Sequence, residues 1–288
     1  GSDPARADAL ARRVFEEIAK FQAEGPTDKQ VTDVKAALTR DFETNSRQNA
    51  WVLGQIVAKD QNGESAHTLL DAGCGTGANL QLLQTYGNAL GVDISDQAIE
   101  FCRARGIVPS RVLWASVSEL PFPNDFFDLA ISFEVICNIA DDQRAFAELA
   151  RVLKPGGRLI VQVPAYQWLW SRHDVAVGHQ RRYAAHDVRA KLTHAGLRVE
   201  RLTHANALLF PIIAARRLTQ RAWRTDPTIH SDLTPLPRAV NALLSALYQL
   251  EMQVVARVDV PFGVSLVAVA RKRQQMSDDR GQTTEGRE

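Results

Sequence analysis

The chain has 288 residues, 45% of them hydrophobic, with 34 Lys plus Arg set against 33 Asp plus Glu. A core of ordinary size is therefore available, while so even a charge balance supplies no field to draw in nucleic acid or an anionic membrane, which argues against a charged polymer as partner. The three cysteines, Cys74, Cys102 and Cys137, are scattered without a CxxC pair and suggest neither a disulfide framework nor a zinc site; with no signal-like start and no apolar run near the roughly 18 residues that span a bilayer, the expected location is the cytoplasm.

Residues 1–62 read as a helical hairpin. Leu10, Val14, Ile18 and Phe21 recur at helical spacing, Gly25-Pro26 interrupts, a second helix runs from about Asp28 towards Val57, and Gln61-Asn62-Gly63 makes a polar break. From there apolar runs alternate with helix-like stretches: Thr68–Ala72, Ala89–Val92, Val112–Trp114, Phe127–Phe133 and Arg158–Val163 read as strands. A helix His186–Ala195 closed by Gly196, a strand from Leu197 to about Thr203 and a last apolar run Val264–Ala270 follow. The alternation predicts an α/β fold with a parallel sheet and helices on both faces over residues 63–273. Between the last two strands, residues 206–260 carry two helical patterns, about Leu208–Trp223 and Pro237–Val258, too long for a plain connection and so an inserted element. The polar tail, 274–288, is expected to be disordered.

The first strand ends in Asp71-Ala72-Gly73-Cys74-Gly75-Thr76-Gly77 and enters a helical stretch, Ala78–Thr85. Glycines at 73, 75 and 77 let the backbone turn tightly and let a ligand approach main-chain N–H groups at a helix start. Asp93 closes the second strand, where a carboxylate accepts hydrogen bonds from both hydroxyls of a ribose, or else caps the helix that begins near Ser95. A nicotinamide fingerprint requires G-x-G-x-x-G; the spacing here is G-x-G-x-G.

These residues, with Leu120-Pro121-Phe122, Phe127-Asp128-Leu129 and the run from Leu149 to Gly157 (LARVLKPGG), resemble the class I S-adenosylmethionine-dependent methyltransferases over about 200 residues. The resemblance implies a Rossmann-like seven-stranded sheet, S-adenosylmethionine as cofactor, the Asp71–Gly77 loop around its methionine part, Asp93 and neighbouring Ile94 at the ribose, and Ser116, Val117 and Phe133, after the third and fourth strands, flanking the adenine. Two departures stand out. Where relatives usually have an aspartate after the third strand this chain has Ser116, which can accept from the adenine amino group, and Asn138 replaces a histidine common after the fourth, on the substrate side.

The acceptor is expected at the carboxyl edge of the strands. Pro164–Tyr183 is dense in aromatic, imidazole and guanidinium groups, and its P-A…L-W-S-x-H-D and G-H-x-R-R-Y motifs, with the terminal P-F-G-x-S-L-x-A-V-A-R, resemble a bacterial methyltransferase subgroup. His173 or His179 is a candidate general base, Asp174 its orienter and Tyr183 a further catalytic candidate; Asn138, Trp170, Arg181 and Arg182 are candidates for holding a small-molecule acceptor. The same residues also suit a loop pinned by ion pairs and a Tyr183 hydrogen bond. Arg216, Arg217, Arg221 and Arg224 beside the first inserted helix leave a lipid-linked acceptor or a peripheral membrane contact open. No metal is expected.

Glu24-Gly25-Pro26-Thr27 and Asp41–Gln55 are similar to a helical piece near the C-terminus of pitrilysin-like zinc peptidases, but the H-x-x-E-H metal motif is missing from the chain, so proteolysis does not follow. Two such helices require a partner surface, on the sheet domain or on a second copy of the chain. The alternative to an active transferase is a fusion that holds S-adenosylmethionine without transferring its methyl.

Overall fold

The computed structural model describes residues 67–222, 247, 250, 251, 253–255 and 257–274. The N-terminal hairpin, most of the second inserted helix and the tail beyond Gln274 lie outside the described residues. Seven strands, β1 (His67–Ala72), β2 (Gly87–Asp93), β3 (Val112–Trp114), β4 (Phe127–Phe133), β5 (Leu153–Pro164), β6 (Leu197–Ala205) and β7 (Ser265–Lys272), form one sheet in the order β3-β2-β1-β4-β5-β7-β6. Each apolar run read as a strand is one of these. The sheet is not wholly parallel, however: β7 runs antiparallel to both its neighbours, β5 and β6. Hydropathy reports burial on two faces and is blind to strand direction.

Alternation along the strands builds two cores. Leu69, Leu129, Ile131 and Ile160 meet Leu80 and Leu83 of α1 (Ala78–Leu83) and Ile99 and Cys102 of α2 (Asp96–Ala104) on one face. Leu70, Ala130, Leu159 and Val161 meet Phe146 and Leu149 of α3 (Asp142–Val152) and Val188 and Leu192 of α5 (Ala185–His194) on the other. Burying each large side chain contributes about 1.5–3 kcal/mol. The helix starts are set locally: Ser95 accepts from the Ala98 N–H at 3.3 Å and Asp141 from the Arg144 N–H at 3.1 Å. Short α4 (Arg172–Ala176) follows β5, and α6 (Phe210–Ala222) is the first inserted helix.

Topology places the site. The chain steps outward from β1 to β2 and β3, then crosses to β4 on the far side of β1, so the strand order reverses between β1 and β4. A crevice opens at such a reversal, beyond the carboxyl ends of the strands. The glycine loop leaves β1 on one side of it, and Glu134-Val135 leaves β4 on the other.

Candidate cofactor and acceptor site

Gly73 and Cys74 both donate to the Val92 carbonyl, at 2.8 and 2.9 Å, folding the loop back over β2. Gly73 has φ +86°, and a Cβ there would lie 2.2 Å from a methyl of Val135, so the loops after β1 and β4 are in contact. Gly75 has φ +51°, yet a Cβ there would meet nothing within 4 Å. Close packing under Gly73 thus supports a loop whose crest at Gly75 faces open space.

Asp93 braces this crest. Its Oδ2 accepts from the Gly75 N–H at 2.8 Å and its Oδ1 from the Ser95 N–H at 2.9 Å. A carboxylate has about four acceptor positions, so two remain for hydroxyls of a ligand. Asp71, 1% exposed, has its carboxyl pushed up to about 7, first by burial and then by the charge of Asp93, against a hydrogen bond from the Leu80 N–H. Its Oδ2, the Thr76 hydroxyl and the Asn79 carbonyl oxygen are buried without a hydrogen-bond partner. Such groups are costly unless a ligand or water completes them. Three of them around one glycine loop fit a polar, partly cationic ligand such as S-adenosylmethionine.

Ser116 and Val117 lie beyond β3, next to this site through the bond from the Ala115 N–H to the Asp93 carbonyl at 3.0 Å; the Ser116 hydroxyl accepts from the Ser118 N–H at 3.1 Å. Val117 is buried, Ile94 is exposed, and Phe133 packs at the margin of the core beneath α1 and α2.

On the β4–β5 side, Asp174 is fully buried and gathers the loop around itself. It accepts from Ser171 N–H at 2.8 Å, from His179 Nδ1 at 3.0 Å and from Arg182 Nε at 2.7 Å, with Arg217 3.6 Å away. Burial works to raise its carboxyl, but His179 and Arg182 outweigh it and hold the group far below the usual carboxylate range. Arg182 also donates to the Ala165 carbonyl at 3.0 Å and is buried. Tyr183 lies in the core, its hydroxyl donating to Asp142 at 2.8 Å, and Asp142 also binds Arg181 at 2.9 Å and Lys191 at 2.7 Å. The side chains of Arg181, Arg182 and Tyr183 are thus joined to protein groups that brace the loop.

Of the other residues singled out, His173 stands beside Asp174 on α4, Trp170 is half-buried just before that helix, and Asn138 is exposed, its amide donating to the Glu134 carbonyl at 3.2 Å. Glu134 escaped the sequence reading. It follows β4 with a left-handed φ of +56°, and its Oε1 accepts from Gln162 at 3.1 Å and Ser265 at 3.4 Å. Burial pushes its carboxyl up, against Gln162 and the nearby His179 and Arg182. Its place directly after the strand that borders the reversal was the available signal. The three cysteines are free and buried.

Comparison with known proteins agrees with this geometry. Residues 70–161 match the family described as a methyltransferase domain. Demethylmenaquinone methyltransferase of Tropheryma whipplei (strain Twist) is 37% identical over 95 residues, 32% of this chain and 40% of that protein. The Arabidopsis thaliana tRNA (carboxymethyluridine(34)-5-O)-methyltransferase is 35% identical over 116 residues, 39% of this chain and 27% of its own. A Mycobacterium tuberculosis protein (strain ATCC 25618 / H37Rv) named "Probable S-adenosylmethionine-dependent methyltransferase" is 34% identical over 101 residues, covering 35% and 36%. The matches span less than half the length of these relatives. Among solved structures, a chain of the complex between the Haloferax volcanii Trm112 methyltransferase activator and its partner superposes with TM-score 0.54 at 22% identity over 84% of this chain and 97% of that one; the YcgJ protein of Bacillus subtilis gives 0.51 at 17% over 78% and 99%. At such identities they speak to the fold. Residues 70–161 thus resemble a methyltransferase domain, with relatives of the S-adenosylmethionine-dependent kind, and sit in a seven-stranded Rossmann-like sheet.

Proposed function

We propose that this chain transfers the methyl group of S-adenosylmethionine to an oxygen or nitrogen of a small-molecule acceptor, sugar- or lipid-linked. The observation that carries the reading is the set of unpartnered buried polar atoms of Asp71, Thr76 and Asn79 beside the open crest at Gly75. In this reading the Asp71–Gly77 loop receives the methionine part, Asp93 takes the ribose hydroxyls through its remaining lone pairs with exposed Ile94 beside it, and Ser116, Val117 and Phe133 border the adenine.

Methyl transfer is an in-line displacement: the carbon–sulfur bond breaks as the bond to the acceptor forms, the sulfonium becomes a thioether, and the acceptor loses a proton. The protein's task is mainly positioning and exclusion of water. The acceptor lies on the edge formed by the loops after β4 and β5, where Asn138, Trp170, His173 and His179 stand. Beyond them Tyr166 stacks on His204 with ring centroids 5.3 Å apart, and half-exposed Trp168 and Phe262 flank Phe210. An aromatic rim of this kind suits an acceptor with an apolar or sugar portion.

Calorimetric titration with S-adenosylhomocysteine tests the reading. Binding to the wild type, weakened at least tenfold in Asp93→Ala, is expected; no binding to the folded wild type overturns it.

A further inference from the structure

We propose that Glu134, Cys137 and His179 form a zinc site on the acceptor edge, with one coordination position open to an oxygen of the acceptor. The inference rests on the proposed transferase reading for what fills that position, and on the geometry alone for the metal. One ligand atom from each of the three residues lies within 4.8 Å of the other two. Bonds of about 2.0–2.3 Å in a tetrahedral site bring such atoms closer still, so loading requires only a small contraction of the two loops.

The surroundings hold each ligand as a metal site requires. Asp174 Oδ1 lies 3.0 Å from His179 Nδ1, which fixes the ring and leaves Nε2 to coordinate, the carboxylate–histidine–metal arrangement. Gln162 and Ser265 occupy Glu134 Oε1 and leave Oε2. The Gln180 N–H donates to the Cys137 carbonyl at 2.8 Å, joining the loop of His179 to that of Cys137. Glu134 also holds a left-handed backbone, φ +56°, a conformation that persists where the surrounding structure enforces it.

Charge and softness select the ion. A carboxylate, a thiolate and a neutral imidazole sum to two negative charges, matched by a dication, and the thiolate favours zinc over magnesium or calcium. Three protein ligands leave a fourth position, as in catalytic rather than structural zinc sites. Val135, between Glu134 and Cys137 in sequence, is the residue packed against Gly73, so the loop that carries these two ligands touches the glycine loop. A hydroxyl bound at the fourth position loses its proton more readily, as a Lewis acid lowers its pKa.

The test uses the full chain, loaded with zinc in a calorimeter and with cobalt(II) as a spectroscopic substitute. One equivalent and a thiolate-to-cobalt charge-transfer band are expected; Cys137→Ser abolishes the band, and Cys137→Ser and Glu134→Gln each weaken zinc at least tenfold, with circular dichroism confirming that both variants fold. Cys102→Ser retains the band. Acetohydroxamate, an oxygen-donor probe, shifts the d–d bands of the cobalt form if a position is open; unshifted bands overturn that half of the proposal. No band in a folded wild type that binds S-adenosylhomocysteine, or wild-type zinc affinity in Cys137→Ser, overturns the site itself. A band with no S-adenosylhomocysteine binding sustains the metal and removes the transferase reading instead.

Discussion

The Gly75 N–H donates to Asp93 Oδ2 at 2.8 Å, tying the crest of the loop after β1 to the end of β2. In Asp93→Asn the amide still accepts one of the two N–H groups, Gly75 or Ser95, but turns its own NH2 towards the other. The expected cost is about 1–2 kcal/mol of stability, read from a urea melt. The loss of S-adenosylhomocysteine affinity should exceed tenfold.

Two glycines of the same loop predict opposite phenotypes. Gly73→Ala drives a methyl into Val135 from a strained φ and should destabilise the fold by about 2 kcal/mol or more. Gly75→Ala meets only open space and should cost about 1 kcal/mol for its left-handed backbone. Its methyl would occupy the proposed ligand's approach, so cofactor affinity falls while the melting temperature drops by only about 2–4 °C. Thermal melts paired with calorimetry separate the two.

Asp71 gives the apo protein a pH dependence. Its carboxyl, raised from 3.8 to about 7 by burial and by Asp93, keeps its proton in the native state after the unfolded chain has lost it. Stability therefore falls as pH rises from about 4 to about 7 and levels off above, by at most about 4 kcal/mol at 1.36 kcal/mol per pH unit. Asp71→Asn removes this slope, so the stability of the variant relative to wild type should climb between pH 5 and pH 8. Equal slopes in melts across that range would contradict the assignment.

Asp174→Asn leaves Arg182 buried beside a neutral amide and should cost about 3–5 kcal/mol. Tyr183→Phe removes the hydroxyl's bond to Asp142 and its longer one to the Ile136 carbonyl at 3.5 Å, expected at about 1–2 kcal/mol, with cofactor affinity unchanged. A Tyr183→Phe variant of unaltered stability that fails to bind cofactor would reverse that account.

The sequence made the strands and the cofactor loop legible because both rest on local signals: apolar runs of strand length, glycines between β1 and α1, and an acid closing β2. Strand direction was not local. Nothing in Val264–Ala270 says that it pairs antiparallel to β5, because a strand buried on both faces reads alike in either direction. Nor does the spacing of Cys137 and His179 hint at their meeting, since separate loops carry them. Arg182 and Tyr183 were read as either acceptor-binding and catalytic groups or loop braces, and only their buried partners, Asp174 and Asp142, reveal the bracing bonds.

The reversed direction of β7 sets where this chain can diverge. β6 ends at Ala205 directly opposite Ser265, where β7 begins. The segment 206–264 thus joins two residues that face each other at one end of the β6–β7 ladder. A segment anchored in this way can be lengthened, shortened or exchanged while the glycine loop and Asp93, on β1 and β2 across the strand-order reversal, keep their places. If the proposed transferase reading holds, a graft of another 206–264 segment is expected to change the acceptor without touching the methyl donor.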